Sequence, residues 1–287
     1  MNKTTDLIRR MVRSTGFDVV RITIPHEKRG PEPAAGATGP GSKNEFFPTD
    51  ASPRRFKLWP VPPDLANRTE TWARVLAEMH TRPASWPACV SPETEMLIHA
   101  LVRNLRPRVV VETGTCHGAS TLWIAAAMQM SASEGAEPGV IHTFDNFLPP
   151  RAEWLANMPL YKDRETKVRR RFERCGFGAM IRIHVGDSAS NVAAARPELD
   201  RAGGVQLAFI DGDHTDAGVQ RDFVAVEPSL NLGGYVLLHD VFPSICNWSG
   251  PRKLADRINT FAAGKYQMCD IYTAPLNYGV TVLRRVE

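Results

Sequence analysis

The sequence predicts an α/β domain of the doubly wound kind, with seven strands of which the last is antiparallel, preceded by an N-terminal helical extension. Three observations carry that expectation. Apolar, β-branched runs recur at Arg108–Glu112, Val140–Phe144, Ile181–Val185, Leu207–Ile210 and Tyr235–Leu238. Helical segments separate them, including Thr121–Met130, Arg164–Cys175, Ala189–Arg196 and Ala217–Leu230, and such alternation makes βαβ units with a parallel sheet covered on both faces. The tail adds Tyr266–Tyr272 and Val280–Arg285 across a turn too short for a crossover helix, so these two strands pair antiparallel.

Ahead of the sheet, Leu7, Ile8, Met11 and Val12 keep helical spacing between Asp6 and Gly16, the pattern of a short amphipathic helix. The stretch from Lys28 to Arg55, with GPEPAAGATGPGS at its centre, has too few apolar residues to offset its ordering entropy and reads as a linker or arm. Trp72, Val75, Leu76 and Met79 then repeat at helical spacing, and Ser91 as N-cap with Pro92 at the first helical position opens a further helix through Met96, Leu97, Ala100 and Leu101. The expected organisation is therefore an arm over residues 1–60, a helical lead-in over 61–106 and the sheet-bearing domain over 107–287.

Composition narrows the function classes. The chain is 43% apolar and 23% charged with a net charge of +4, and apart from Lys167–Arg171 and the Arg54-Arg55 pair its basic residues are scattered. That argues against a nucleic-acid partner, which would call for a basic stripe or face. No apolar run of about 18 residues is present, and the N-terminus lacks the apolar core and cleavage site of a secretory signal. Five cysteines at wide spacing with no C-x-x-C pair suit reduced thiols, so a cytoplasmic protein with no membrane partner is expected.

In doubly wound sheets, ligands bind beyond the carboxyl ends of the strands. The first strand leads into Glu112-Thr113-Gly114-Thr115-Cys116-His117-Gly118-Ala119-Ser120, a glycine-bearing turn that opens a helix. It fits neither the G-x-G-x-x-G of dinucleotide sites nor the G-x-x-x-x-G-K-[ST] of triphosphate sites, and Glu112 would repel a pyrophosphate. A carboxylate there suits a cationic ligand.

With its E-x-G-x-x-x-G pattern, the loop resembles the first motif of the class I S-adenosylmethionine-dependent methyltransferases, whose fold is Rossmann-like. The resemblance makes S-adenosylmethionine the expected cofactor, held by Glu112, Gly114, Thr115, Gly118 and Ser120. Asp145, at the end of the second strand, is placed to take the ribose hydroxyls, as a carboxylate does at that point of nucleotide folds. Asp187 and Ser188, after the third strand, resemble the family's segment beside the adenine.

The strongest motif is Ile210-Asp211-Gly212-Asp213-His214, with Gly218, Val219 and Asp222 downstream and Gly233-Gly234 through His239-Asp240 beyond. From about Val90 to Val286 the chain resembles a bacterial family of sugar and antibiotic O-methyltransferases and cephalosporin-hydroxylase-like proteins. More distantly it is similar to the metal-dependent catechol and caffeoyl-CoA O-methyltransferases, whose cation ligands match Asp211 and Asp240. That resemblance implies a divalent cation, magnesium first because the oxygens are hard, with His239 adjoining as a third candidate ligand that favours a transition metal. The base position of those enzymes carries His214 here, a side chain with an ordinary pKa of ~6.5; Asp211 and His214 are thus the catalytic candidates. Two departures from the templates stand out: Val241 replaces an asparagine ligand of the catechol type, and His239 a glutamate of the sugar type.

The expected activity is methyl transfer to a hydroxyl of a sugar, glycosylated natural product or other polar small molecule. Trp154, Tyr161, Trp248 and Arg252 are acceptor-pocket candidates with plain packing as the competing role. Asp213 and Asp216 suit the electropositive start of the following helix, while His99, His117, His142 and His184 read as ordinary core or surface residues. The added N-terminal segments are the expected surface for any homo-oligomer. Two alternatives stay open, a cofactor-binding partner of another enzyme and a scaffold whose Pro/Gly-rich arm recruits partners.

Overall fold

The computed structural model describes residues 61, 63–81, 90–149, 161–246, 248–271 and 278–287, all within a compact unit running from Leu58 to Glu287. The expected helix at 7–16, the arm at 28–55, Cys89 and Trp154 lie outside the described residues. In chain order the elements are α1 (Pro63–Ala66), α2 (Thr71–Thr81), α3 (Pro92–Leu105), β1 (Val109–Thr113), α4 (Ala119–Ser133), β2 (Val140–Asp145), α5 (Arg164–Arg174) and β3 (Ile181–Val185). There follow α6 (Ser188–Arg201), β4 (Val205–Ile210), α7 (Asp216–Val226), a 3₁₀ turn (Glu227–Ser229), β5 (Leu230–His239), α8 (Pro243–Cys246), α9 (Gly250–Phe261), β6 (Tyr266–Ile271) and β7 (Val280–Arg285).

The sheet order is β3-β2-β1-β4-β5-β7-β6. Strands β1 to β5 pair in parallel, and β7 runs antiparallel to both β5 and β6. The fold is thus the Rossmann-like seven-stranded sheet expected, with the last strand reversed. Because the order reverses between β1 and β4, the carboxyl ends of those two strands flank the crevice where such sheets bind ligands.

Burial explains the pattern of residues. Every residue of β1 is buried, as a central parallel strand requires. On one face, Leu122, Trp123, Ile124 and Met128 of α4 pack with Val110, Phe209 and Leu237. Trp72, Leu76, Ile98 and Val102 of the lead-in helices enter the same cluster, so α2 and α3 share the sheet's core instead of forming a body of their own. On the other face, α6, α7 and α9 cover Val109, Val111, Ala208, Ile210 and Val236.

Most boundaries follow the expected ones. Ser91 caps α3 by accepting a hydrogen bond from the Thr94 N–H at 3.3 Å, with Pro92 at the first turn. Helices α6 and α7 differ in where they end, and β5 begins at Leu230, five residues before the expected Tyr235. Helix α6 was expected to stop before Pro197 but runs through it to Arg201, because Leu199 is fully buried in the second core cluster and holds the last turn down. Helix α7 ends at Val226 and a 3₁₀ turn replaces its expected last residues, where Pro228 removes a donor.

Candidate active site

The loop after β1 is built by close backbone approach. Gly114 sits at φ 92°, and a Cβ there would lie 2.2 Å from the Asp211 carbonyl oxygen. Only glycine lets the β1 loop press against the end of β4 in this way. Gly118, at φ 76°, precedes α4 as its N-cap with no side-chain cap, and a Cβ there would meet the Phe172 ring at 2.7 Å. The helix N-terminus, with its orphan N–H groups, therefore opens toward the crevice. Val90, Gly114, Thr115, Cys116, His117 and Asp211 line a small cleft at this point.

Glu112 lies beneath the loop and faces no open cleft. It is fully buried, and its oxygens accept hydrogen bonds from Ser120 Oγ at 2.6 Å, Thr121 Oγ1 at 2.5 Å and Thr143 Oγ1 at 2.6 Å. Burial raises its pKa to about 7 against the pull of those three hydroxyls. Glu112 and Ser120 thus brace the loop from inside, and Thr115 joins the network through a 2.6 Å contact with Thr143. The sequence reading gave Glu112 a contact with a cationic ligand; here its oxygens are occupied by three hydroxyls beneath the loop.

Asp145 ends β2 at the crevice rim, buried, with Oδ2 accepting the Cys116 N–H at 2.7 Å and Oδ1 the Phe147 N–H at 2.6 Å. Arg164, at the start of α5, reaches Asp145 Oδ1 at 3.3 Å while its guanidinium lies over the rings of Phe147 and Tyr161. Asp187 caps α6 by accepting the Ser190 N–H at 3.0 Å and pairs with Arg221 at 2.7 Å. Ser188 donates to buried Asp222 on α7 at 2.6 Å. The carboxyl of Asp222 is pushed up by burial, and its Oδ2 lies 3.1 Å from where a Gly212 Cβ would be. Asp222 entered the sequence reading only as a member of the D-G-D-H motif, with no role given to it, and Arg164 entered with none, since a lone arginine carries no spacing signal.

At the ends of β4 and β5, Asp211, His214, His239 and Asp240 converge, with one ligand-type atom from each lying within 4.8 Å of the others. His239 Nδ1 is 2.8 Å from Asp211 Oδ1 and 3.0 Å from Asp240 Oδ1. His214 Nε2 is 3.2 Å from Asp211 Oδ1 and 2.9 Å from Asp240 Oδ2. Asp240 is held at φ 60°, unusual for a residue other than glycine, which marks backbone over-determined by its surroundings.

The charges in this cluster are strongly interdependent. Burial pulls both imidazoles down, but the two carboxylates outweigh it, raising His214 to about 10 and His239 well above the usual range. The reverse holds for Asp211 and Asp240, where burial is outweighed by the imidazoles and both carboxyls fall below their ordinary range. His214 thus departs from the ordinary pKa expected of it: in the cluster as it stands it holds a proton at neutral pH. The Asp240 Oδ1 and His239 Nε2 atoms are buried without a hydrogen-bond partner. His239 Nε2 faces away from the cluster, but a four-donor set in which buried Asp240 Oδ1 lacks a hydrogen-bond partner fits a divalent cation.

Of the residues flagged around the site, Trp248 stacks on His214 with ring centroids 5.7 Å apart, and Tyr161 packs against His117. Arg252 instead pairs with Asp256 and Asp270. Asp213 accepts the Thr215 N–H at 2.9 Å, and Asp216 takes a bidentate pair from Arg257, both consistent with shaping the turn into α7. His117 is buried and lowered to about 4 by burial and by Arg164, and His142 stacks on His184 inside the sheet.

A family model described as a methyltransferase domain matches residues 111–241, from β1 to just past Asp240. Solved structures share the fold at low identity. The O-methyltransferase TomG from Streptomyces achromogenes, involved in tomaymycin synthesis and solved with S-adenosylmethionine, is 18% identical, with a TM-score of 0.56 over 86% of this chain and 100% of its own. An O-methyltransferase from Bacillus cereus in complex with SAH is 15% identical, with a TM-score of 0.54 over 78% and 94%. The Podospora anserina methyltransferase PaMTH1, SAH-bound, is 16% identical, with a TM-score of 0.54 over 77% and 89%. With the glycine loop and Asp145 set around the crevice between β1 and β4, residues 111–241 match a methyltransferase domain, on a fold this chain shares with these S-adenosylmethionine- and SAH-bound enzymes.

Proposed function

We propose that the protein transfers a methyl group from S-adenosylmethionine to a hydroxyl of a sugar, glycosylated natural product or other polar small molecule, with a divalent cation assisting. The observation that carries this reading is the Asp211, His214, His239 and Asp240 cluster placed beside the cofactor loop. Bound S-adenosylmethionine supplies an electrophilic methyl group on its sulfonium, and a bound cation supplies Lewis-acid lowering of a hydroxyl's pKa.

The chain's own residues prepare that exchange. Gly114 and Gly118 shape a loop whose helix N-terminus suits the carboxylate of an amino-acid moiety. Thr115 and Ser120, tied to Glu112, keep the loop rigid. Asp145 retains acceptor capacity for ribose hydroxyls beside its existing partners, and Asp187 with Ser188 borders the next strand end. Asp211 and Asp240 would hold the cation, and their place beside the cofactor loop suits alignment of the acceptor, the orientation on which in-line displacement depends. His214 can take the acceptor's proton only in a cluster whose negative charge a cation has neutralised.

The test is methyl transfer to a panel of sugars, glycosides and catechols, before and after rigorous chelation. Turnover that chelation abolishes and divalent ions restore supports the reading, and turnover indifferent to chelation removes the cation from it. The described cysteines Cys116, Cys175, Cys246 and Cys269 are free thiols, and the cytoplasmic setting expected from the sequence stays part of this proposal. No helix among the described residues is long and apolar enough to cross a membrane.

A further inference from the structure

We infer that the site at the ends of β4 and β5 selects a borderline transition ion, of the iron, cobalt, nickel or zinc class, over magnesium, because His239 and His214 complete the coordination begun by Asp211 and Asp240. This rests on the proposed cation site and specifies its chemistry. The first argument is composition: of the four converging donors two are imidazoles, which suit zinc, iron and nickel-type ions, whereas magnesium takes oxygen ligands and keeps much of its water.

The second argument is aim. Both imidazoles direct a nitrogen at the same Asp211 Oδ1, from 2.8 Å for His239 and 3.2 Å for His214, and each also lies within 3.0 Å of an Asp240 oxygen. A centre surrounded by two carboxylates and two imidazole nitrogens is the arrangement a single ion draws together. His239 lies on a strand, in contact with the Phe209 ring and only 4% exposed. Trp248 stacked on His214 holds the second ring to the cluster.

One consequence concerns proton removal. On this inference the ion would hold His214 Nε2, so the base role proposed above for His214 would fall away and an acceptor hydroxyl beside the ion would lose its proton to solvent.

The full-length protein is stripped with chelator and titrated with cobalt(II) at neutral pH. The ligand set is read from the visible absorption, and directly bound nitrogen from pulsed electron paramagnetic resonance of the manganese(II)-loaded protein. We expect bound-imidazole nitrogen couplings, and cobalt that zinc displaces but a roughly hundred-fold excess of magnesium does not. His239→Asn and His214→Gln, which put oxygen in place of nitrogen, should each narrow the cobalt-over-magnesium preference by about ten-fold or more and remove part of the nitrogen coupling. Circular dichroism of the metal-free variants controls for folding, and if a variant fails to fold the wild-type couplings and the magnesium competition decide alone. Nitrogen couplings that are absent, or magnesium that competes on equal terms, would overturn the inference while leaving a cation-assisted transferase standing. Failure of any divalent ion to bind would sink both.

Discussion

Gly114 shows how one missing side chain can set a site. Its left-handed backbone and its approach to the Asp211 carbonyl leave no room for a methyl group. Gly114→Ala should therefore destabilise the fold by about 1–3 kcal/mol and weaken S-adenosylmethionine binding, as read by thermal melting and calorimetry; a variant with wild-type affinity would disprove the close-approach argument. Glu112 is legible in the sequence as an acid at a strand end, yet its role is not. Only the fold brings Ser120, Thr121 and Thr143 to its oxygens, from positions 8, 9 and 31 residues away. Its pKa is raised from 4.5 to about 7, so the folded state favours the protonated carboxyl. That contribution is complete below about pH 4.5 and is lost as pH rises through 7, a difference of about 3 kcal/mol. Urea unfolding across this window should show the decline in the wild type and a flatter profile in Glu112→Gln.

At the scale of elements, the turn into α7 is supported from behind by α9. A Cβ on Gly250 would come within 2.4 Å of the His214 carbonyl oxygen and 2.6 Å of Thr215, so the first residue of α9 abuts the loop that carries the cluster. Arg257 of the same helix then clasps Asp216 at 2.5 and 2.7 Å. Gly250→Ala should push this loop outward and raise the dissociation constant for a divalent ion by about ten-fold or more, although no donor atom is changed. Titration with cobalt(II) would measure it, and an unchanged constant would show that α9 has no part in placing His214. Nothing in the local sequence announces this contact. The strands and helices themselves were legible because their apolar periodicity is local, and the same is true of Ser91-Pro92 at the start of α3. The passage of α6 through Pro197 was not, because it depends on Leu199 finding a cavity in the packed molecule.

Across the whole molecule, the strand order places the cofactor loop of β1 beside the acidic end of β4, although about a hundred residues of sequence lie between them. The strand-end candidates Asp145, Asp211 and Asp240 could be picked out from sequence because carboxylates at the ends of apolar runs are conspicuous. Their partners could not, since Arg164, Asp222 and the ion-paired state of His214 arise only when separate elements meet. The contact of Gly114 with the Asp211 carbonyl has one more implication, for thermodynamics. Two ligands whose binding loops share a backbone contact are expected to be coupled: whatever cofactor binding does to the Asp211 loop is returned when the ion binds. Reciprocity then requires that an ion bound at Asp211 change S-adenosylmethionine affinity by the same factor as the cofactor changes affinity for the ion. Paired calorimetric titrations, each ligand with and without the other, should give equal factors different from one. Factors of one would mean that this shared backbone contact transmits nothing.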